Sequence, residues 1–204
     1  MHEAIHDLTV NLGWKLTTLF RVRAQYSLVQ FVTMYKSQVW SSIEWATPAI
    51  FHATRTLLGS VDRIQNKFLR FLGMPADEAL INYKVAPLAL RRKIAMIGLI
   101  HRCATGQAPK SLCDLFPPDH RRAPYNTRQT TRYHHLRLAD RINGTHSDLT
   151  KRSIFGLVKF YNVMPMRIVQ NLSVKHLQGY IQSEAILRCK SGMDMERICS
   201  LEWF

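Results

Sequence analysis

A row of cationic side chains recurs at helical spacing between residues 60 and 72. Arg63, Lys67 and Arg70 are separated by four and then three residues, so in a helix they share one face. Arginine and lysine side chains in such a row neutralise phosphates and hold a nucleic-acid backbone without reading its bases. We therefore predict that these three residues bind a sugar-phosphate backbone, with a solvated face on a basic protein as the alternative.

Three consecutive cations, Arg91, Arg92 and Lys93, open a second apolar segment. Positive charge in the first turn of a helix is unfavourable to the helix dipole, and an anionic partner would offset that cost. A solvated first turn is the alternative interpretation. We count these three residues among the candidate nucleic-acid contacts.

A basic stretch without acidic residues lies in the middle of the chain. Between His120 and Arg137 there are five arginines and no aspartate or glutamate. Tyr125 and Tyr133 are interleaved with them, and such rings either stack on unpaired bases or pack against their own domain. The candidate nucleic-acid-binding residues of this stretch are Arg121, Arg122, Arg128 and Arg132.

The residue types that carry catalysis or bind metals show no organised spacing. No two cysteines have the C-x-x-C spacing of a zinc or redox motif, and the chain contains no G-x-S-x-G, P-loop or G-x-G-x-x-G sequence. We therefore expect no catalytic residue, no metal site and no cofactor. The cysteines, which we expect to be reduced thiols, are Cys103, Cys113, Cys189 and Cys199.

The overall composition is that of a basic globular protein. Lysine and arginine total 28 against 14 acidic residues, for a formal net charge of +14, which favours a polyanion partner. Hydrophobic residues make up 47% of the chain, enough for a packed core. We expect no membrane span, which needs about 20 apolar residues in a row. We also expect no secretion, because Glu3 and Asp7 precede a segment that has no compact apolar region.

Hydrophobic periodicity predicts helices in the first half of the chain. Residues 14–45 contain neither proline nor glycine and predict one long helix or two joined helices ending near Pro48. Ser60 is a candidate N-cap for a helix that Gly73 and Pro75 end. Residues 88–103 form the next predicted helix.

The second half of the chain begins with a different composition. Residues 117–150 are rich in turn-forming residues and predict a long basic loop. Beyond it, Ser153 and Ser173 are candidate N-caps for helices over 154–163 and 174–187. From Ser191 onward the chain is polar, and we expect an irregular tail.

Four segments, in order, resemble the region after the polymerase palm in LINE-type, jockey-like non-LTR retrotransposon reverse transcriptases. MYKS at 34–37 and IEWATP at 43–48 are similar to the family's L-Y-K-S and L-E-Y-A-S-P-V-W stretch. Trp45 stands for the usual tyrosine, and Ile50 departs from the usual tryptophan. VDRIQNKFLR at 61–70 is similar to L-E-R-V-Q-R-R-F-x-R.

The third and fourth segments extend the resemblance to residue 187. PLALRRK at 87–93, followed by Gly106 and residues 112–116, is similar to the L-x-x-R-R … L … G segment before a D-L-F-type turn. YNVMP at 161–165 is similar to W-N-x-L-P. In the last helix Leu177 and Gln178 stand where the family has Phe-Lys. Chance similarity between basic helical proteins is the alternative explanation.

The resemblance and the helical pattern together define an expected architecture. We expect a mainly α fold: a helical thumb-like bundle, then a basic loop, then a small C-terminal helical segment. The expected boundaries are 1–116 for the thumb-like region, 117–150 for the basic loop or linker, 151–190 for the C-terminal helical segment and 191–204 for the irregular tail.

The resemblance also implies a function. It identifies the chain with a fragment of an RNA-directed DNA polymerase that lacks the catalytic palm, whose F/Y-x-D-D carboxylates are absent here. We therefore expect no enzyme activity, but sequence-independent binding of a template–primer duplex, with a separate palm domain as a further partner. The family implies a nuclear or cytoplasmic location. The alternative is a stand-alone helical protein-interaction module derived from a retroelement.

Overall fold

A computed structural model describes residues 1–119, 134–140, 142, 153–201 and 203. The described part of the chain is mainly helical, which confirms the expected fold class. Within it, no helix combines the length and the apolar character needed to cross a membrane. The α-helices, in chain order, are α1 (His2–Arg21), α2 (Leu28–Tyr35), α3 (Ser41–Ile50), α4 (Arg55–Phe71), α5 (Ala76–Tyr83), α6 (Leu88–Ala104), α7 (Lys110–Cys113), α8 (Val158–Asn162), α9 (Met166–Val169), α10 (Val174–Lys190) and α11 (Met195–Ser200).

The chain divides into two compact units. The first comprises Met1–Arg92 and Cys189–Cys199, and the second comprises Lys93–Arg188 and Ser200–Phe204. The division falls within α6 and again near the end of the chain, and the expected boundaries at residues 116, 150 and 190 stay predictions from the sequence.

The start of α4 corrects the predicted N-cap. The helix begins at Arg55, and the Thr54 hydroxyl accepts a hydrogen bond from the backbone N–H of Leu57 at 3.4 Å. Ser60 lies inside the helix, where its hydroxyl donates to the Leu57 carbonyl at 2.6 Å. The extra turn is stable because Leu57 and Leu58 pack against the core of the first unit.

Two further predicted boundaries are corrected. Helix α3 continues through Pro48 to Ile50: the proline lacks one backbone N–H, but the Phe51 N–H still donates to the Thr47 carbonyl at 2.9 Å. The expected irregular tail contains α11. The Asp194 carboxylate accepts a hydrogen bond from the backbone N–H of Glu196 at 2.9 Å at the start of this helix. The helix forms although its sequence is mostly polar, because its one apolar residue with a fully buried side chain, Ile198, packs into the interior.

The core of the first unit is built around stacked aromatic rings. The Tyr35 ring lies 3.8 Å from that of Phe68, and Phe31 lies 5.7 Å from Phe68, measured between ring centroids. All three side chains are fully buried. Because Phe68 belongs to α4 and the other two to α2, this stack orients the buried face of α4.

Neutral polar groups centred on Tyr161 occupy the core of the second unit. The Tyr161 hydroxyl donates to His101 Nδ1 at 3.0 Å, and His101 Nε2 donates to the Asn171 carbonyl at 3.0 Å. The Tyr161 carbonyl accepts from His134 Nε2 at 2.9 Å. Burial lowers the pKa of His101 and of His134 and raises that of Tyr161, so all three side chains are held neutral.

Asn162 fixes the segment that returns from the basic stretch. Its side-chain amide donates to the Leu138 carbonyl at 2.8 Å and accepts from the Leu138 N–H at 2.9 Å. Pro118 and Leu138 form an antiparallel bridge, and the Asp119 N–H donates to the Arg137 carbonyl at 2.9 Å. The two flanks of the basic stretch are therefore held together at its base.

The buried histidines make the stability of the protein depend on pH. Their folded-state pKa values lie below the ordinary 6.5, mainly through burial; nearby Arg137, His135 and His101 lower that of His134 further. The unfolded chain therefore binds more protons below that pH, and stability is lost as pH falls through this range. We expect the free energy of unfolding in urea to fall from about pH 7 to about pH 5.

The variant His101→Gln removes one of the two buried titrations and should flatten this pH dependence. His176→Gln is the matched control, because His176 is exposed, and it should retain the wild-type slope. A wild-type protein whose unfolding free energy is constant over this range would contradict the assignment of neutral, buried rings.

Candidate nucleic-acid interface

Helix α4 presents one buried face and one cationic face. Val61, Phe68 and Leu69 are buried against the first unit. Arg63, Lys67 and Arg70 are all exposed, as their spacing predicts, and they lie together on the opposite side of the helix. Burial of the apolar side thus determines which way the three cations point.

No acidic group within the described residues forms an ion pair with Arg63, Lys67 or Arg70. The adjacent acid, Asp62, bonds to Arg92 instead. The positive charge of this face is therefore not neutralised by neighbouring side chains in the described part of the chain.

The cationic face is long enough to meet several phosphates. The axial distance from Arg63 to Arg70 is about 10 Å at 1.5 Å per residue. Since phosphates of one duplex strand rise about 3.4 Å per step, the three cations span roughly three of them.

The structure corrects the expectation that Arg92 contacts phosphate. Arg92 is only 4% exposed. Its guanidinium donates two hydrogen bonds to the carboxylate of Asp62, at 2.7 and 3.1 Å. A buried, bidentate pair of this kind leaves the Arg92 side chain unavailable to an outside anion.

The neighbours of Arg92 also make internal contacts. Arg91 Nε donates to the Glu44 carboxylate at 2.7 Å, and the Arg91 guanidinium lies 4.7 Å from the centre of the Trp40 ring. In the second unit, Lys93 Nζ donates to the Ser200 carbonyl at 3.1 Å. These contacts account for the three consecutive cations without a nucleic acid, and we remove them from the candidate interface.

The remaining candidates, Arg121, Arg122, Arg128 and Arg132, lie outside the described residues, as do Tyr125 and Tyr133. Their proposed role therefore stays a prediction from the sequence.

Among the described residues, no three histidine, cysteine, aspartate or glutamate side chains come close enough to hold a metal ion. Asp62 and Glu44, which stand in the recognised segments, are each bound to an arginine. These two acids therefore act as internal partners for cations.

Sequence inspection missed the internal role of the residues that carry the resemblance. Glu44 and Asp62 belong to the first and second segments, and their partners Arg91 and Arg92 belong to the third. Gln65 of the second segment is 4% exposed and donates to the Ala86 carbonyl at 3.1 Å. The available signal was charge complementarity: each of two segments carries one acid, and a third carries two adjacent arginines.

The chain matches no protein-family model, no curated protein and no solved structure.

Removing one partner of the Asp62–Arg92 pair should lower the free energy of unfolding more than replacing both residues. Asp62→Ala leaves the Arg92 guanidinium buried without its partner, and we expect a loss of about 3 kcal/mol in the free energy of unfolding. Partial exposure of Asp62 keeps the loss at the low end of what such changes cost. Adding Arg92→Met should recover most of it, as measured by urea unfolding of the two variants.

Glu196→Ala is the matched control for this prediction. Glu196 forms an ion pair with Arg55 in which the two side chains are 84% and 93% exposed, so its removal should leave stability unchanged. A double-variant loss equal to the sum of the losses of the single variants Asp62→Ala and Arg92→Met would show that the two residues are not energetically coupled.

Proposed function

We propose that this chain is the region after the palm of a LINE-type reverse transcriptase and that α4 binds a sugar-phosphate backbone through Arg63, Lys67 and Arg70. The observation that carries the proposal is the uncompensated cationic face of α4. Three exposed cations share that face and have no ion-pair partner within the described residues. Their binding is electrostatic and independent of base sequence.

The contrast between two groups of cations supports this assignment. Arg91 and Arg92 are satisfied by Glu44 and Asp62, so their charge serves the fold. The α4 cations have no such internal role, and replacing them leaves every described ion pair in place. The cations of α4 can therefore bind an external anion, whereas the arginines at the start of α6 are already bound to internal carboxylates.

The four segments of the resemblance support the family part of the proposal. Their residues form paired internal contacts, as expected when separate motifs of one domain are retained together. In this family the thumb holds the template–primer duplex, and a palm supplies the metal-binding carboxylates. We therefore propose a duplex of RNA and DNA as the ligand and a separate palm as a partner.

A salt titration tests the α4 assignment. Binding of the wild-type chain to an RNA–DNA duplex should weaken linearly on a log–log plot against salt concentration. The triple variant Arg63→Ala, Lys67→Ala, Arg70→Ala should bind less tightly. Its slope should be shallower by about 2.7, which is about 0.9 for each of three phosphates. Fluorescence anisotropy with a labelled duplex measures both quantities.

A second triple variant controls for the loss of net charge. Lys110, Arg167 and Lys175 are exposed cations that do not belong to α4, and replacing all three with alanine removes the same charge. This control should keep a slope close to that of the wild type. The α4 assignment fails if the first triple variant keeps the wild-type slope or if the control loses as much.

The family assignment has a separate test that does not depend on binding. The reading frame upstream of Met1 in the genomic sequence should encode a palm with an F/Y-x-D-D turn. An upstream frame that encodes an unrelated domain would refute the family assignment and leave the α4 surface to be judged by the titration alone.

A protein-interaction module is the second candidate, and two exposed tryptophans favour it. Trp45 on α3 is 87% exposed and Trp14 on α1 is 68% exposed. Large exposed aromatic side chains are enriched where proteins bind one another. This candidate predicts that duplex binding is weak and lacks a steep salt dependence, so the same titration separates the two.

A further inference from the structure

Two cysteines of the second unit face one cleft. Cys103 lies in the last turn of α6, and Cys113 is the last residue of α7. Both line an opening of about 360 Å³ whose described walls also include Phe116, Pro117 and Leu138. Nine residues separate the two cysteines, so the turn between α6 and α7 brings both side chains to the same place.

The two thiols lie in one cleft and influence each other electrostatically. Cys113 Sγ donates a hydrogen bond to the Ala108 carbonyl at 3.3 Å. Burial raises the pKa of the Cys103 thiol to about 11, and Cys113 raises it further through its charge and a side-chain hydrogen bond. The shared cleft and the influence of Cys113 on the Cys103 thiol together indicate that the two sulfur atoms lie near each other while both are reduced.

We propose that Cys103 and Cys113 are a redox modification site that forms an intramolecular disulfide with a low-molecular-weight disulfide as the oxidant. The Cys113 thiolate attacks one sulfur of the oxidant, forming a mixed disulfide and releasing one small thiolate. The Cys103 thiolate then attacks Cys113 Sγ and releases the second small thiol. Two protein thiols are oxidised, one small disulfide is reduced to two thiols, and both protons leave with those products.

Exposure determines the order of these steps. Cys113 is partly exposed, whereas Cys103 is only 5% exposed, so the oxidant reaches Cys113 first. The buried Cys103 then needs to reach only the neighbouring sulfur atom. Its raised pKa slows this second step without preventing it, because both side chains line the same cleft.

The other two cysteines lie in a different environment. Cys189 and Cys199 belong to the first unit, and Cys189 Sγ contacts Met195 Sδ at 3.8 Å. Cys189 is buried and Cys199 is partly exposed, which gives an internal comparison for each member of the proposed pair.

Peptide mapping of the native full-length chain tests the proposal without any substitution. After incubation with oxidised glutathione, the intact protein should lose two hydrogen atoms in mass. Trypsin cleaves after Arg102, Lys110 and Arg121, so the peptides 103–110 and 111–121 should remain joined until a reductant is added. Joined peptides that contain Cys189 or Cys199, or no joined peptides at all, would overturn the proposal.

Two serine variants test the order of attack. Cys103→Ser should stop at the mixed disulfide, so that one glutathionyl group accumulates on Cys113. Cys113→Ser should leave Cys103 unmodified, because the remaining thiol is buried. Circular dichroism confirms that each variant folds, and Cys199→Ser is the control that should still form the joined peptides. Glutathionylation of Cys103 in folded Cys113→Ser would overturn the proposed order.

Discussion

The ion pair between Asp62 and Arg92 is the contact on which the candidate interface depends. It is largely shielded from water on the arginine side, so neither charge can be left alone without a large cost. It also joins α4 to the start of α6 within the first unit. Because Asp62 is committed to Arg92, it does not neutralise the cations that follow it on α4. One contact therefore stabilises the helix pair and leaves the outer face of α4 positive.

The same division between internal and external polar groups explains the residues of the recognised segments. Glu44 with Arg91, and Gln65 with the Ala86 carbonyl, satisfy polar groups that the helices bury. These residues are explained by the fold, whereas the exposed cations of α4 are not. We therefore propose nucleic-acid binding only by the cations that have no internal partner among the described residues.

In the second unit, the buried polar groups are hydrogen-bonded to neutral partners. Tyr161 links His101 and His134 without a buried charge. The side-chain amide of Asn162 bonds to the backbone of Leu138 as a neighbouring strand would. Through these bonds a short helix holds the flank of the basic stretch. The fold thus positions the base of that stretch by hydrogen bonds from Asn162 and His134.

The sequence alone determined the mainly helical fold, the end of α4 just before Gly73 and the common face of Arg63, Lys67 and Arg70. These are local properties, since helical periodicity sets which side chains share a face. It could not distinguish those cations from Arg91 and Arg92, because the partners of the latter lie 47 and 30 positions away in the chain. Only tertiary packing brings such distant charges together, and it decided which arginines serve the interior and which remain outside.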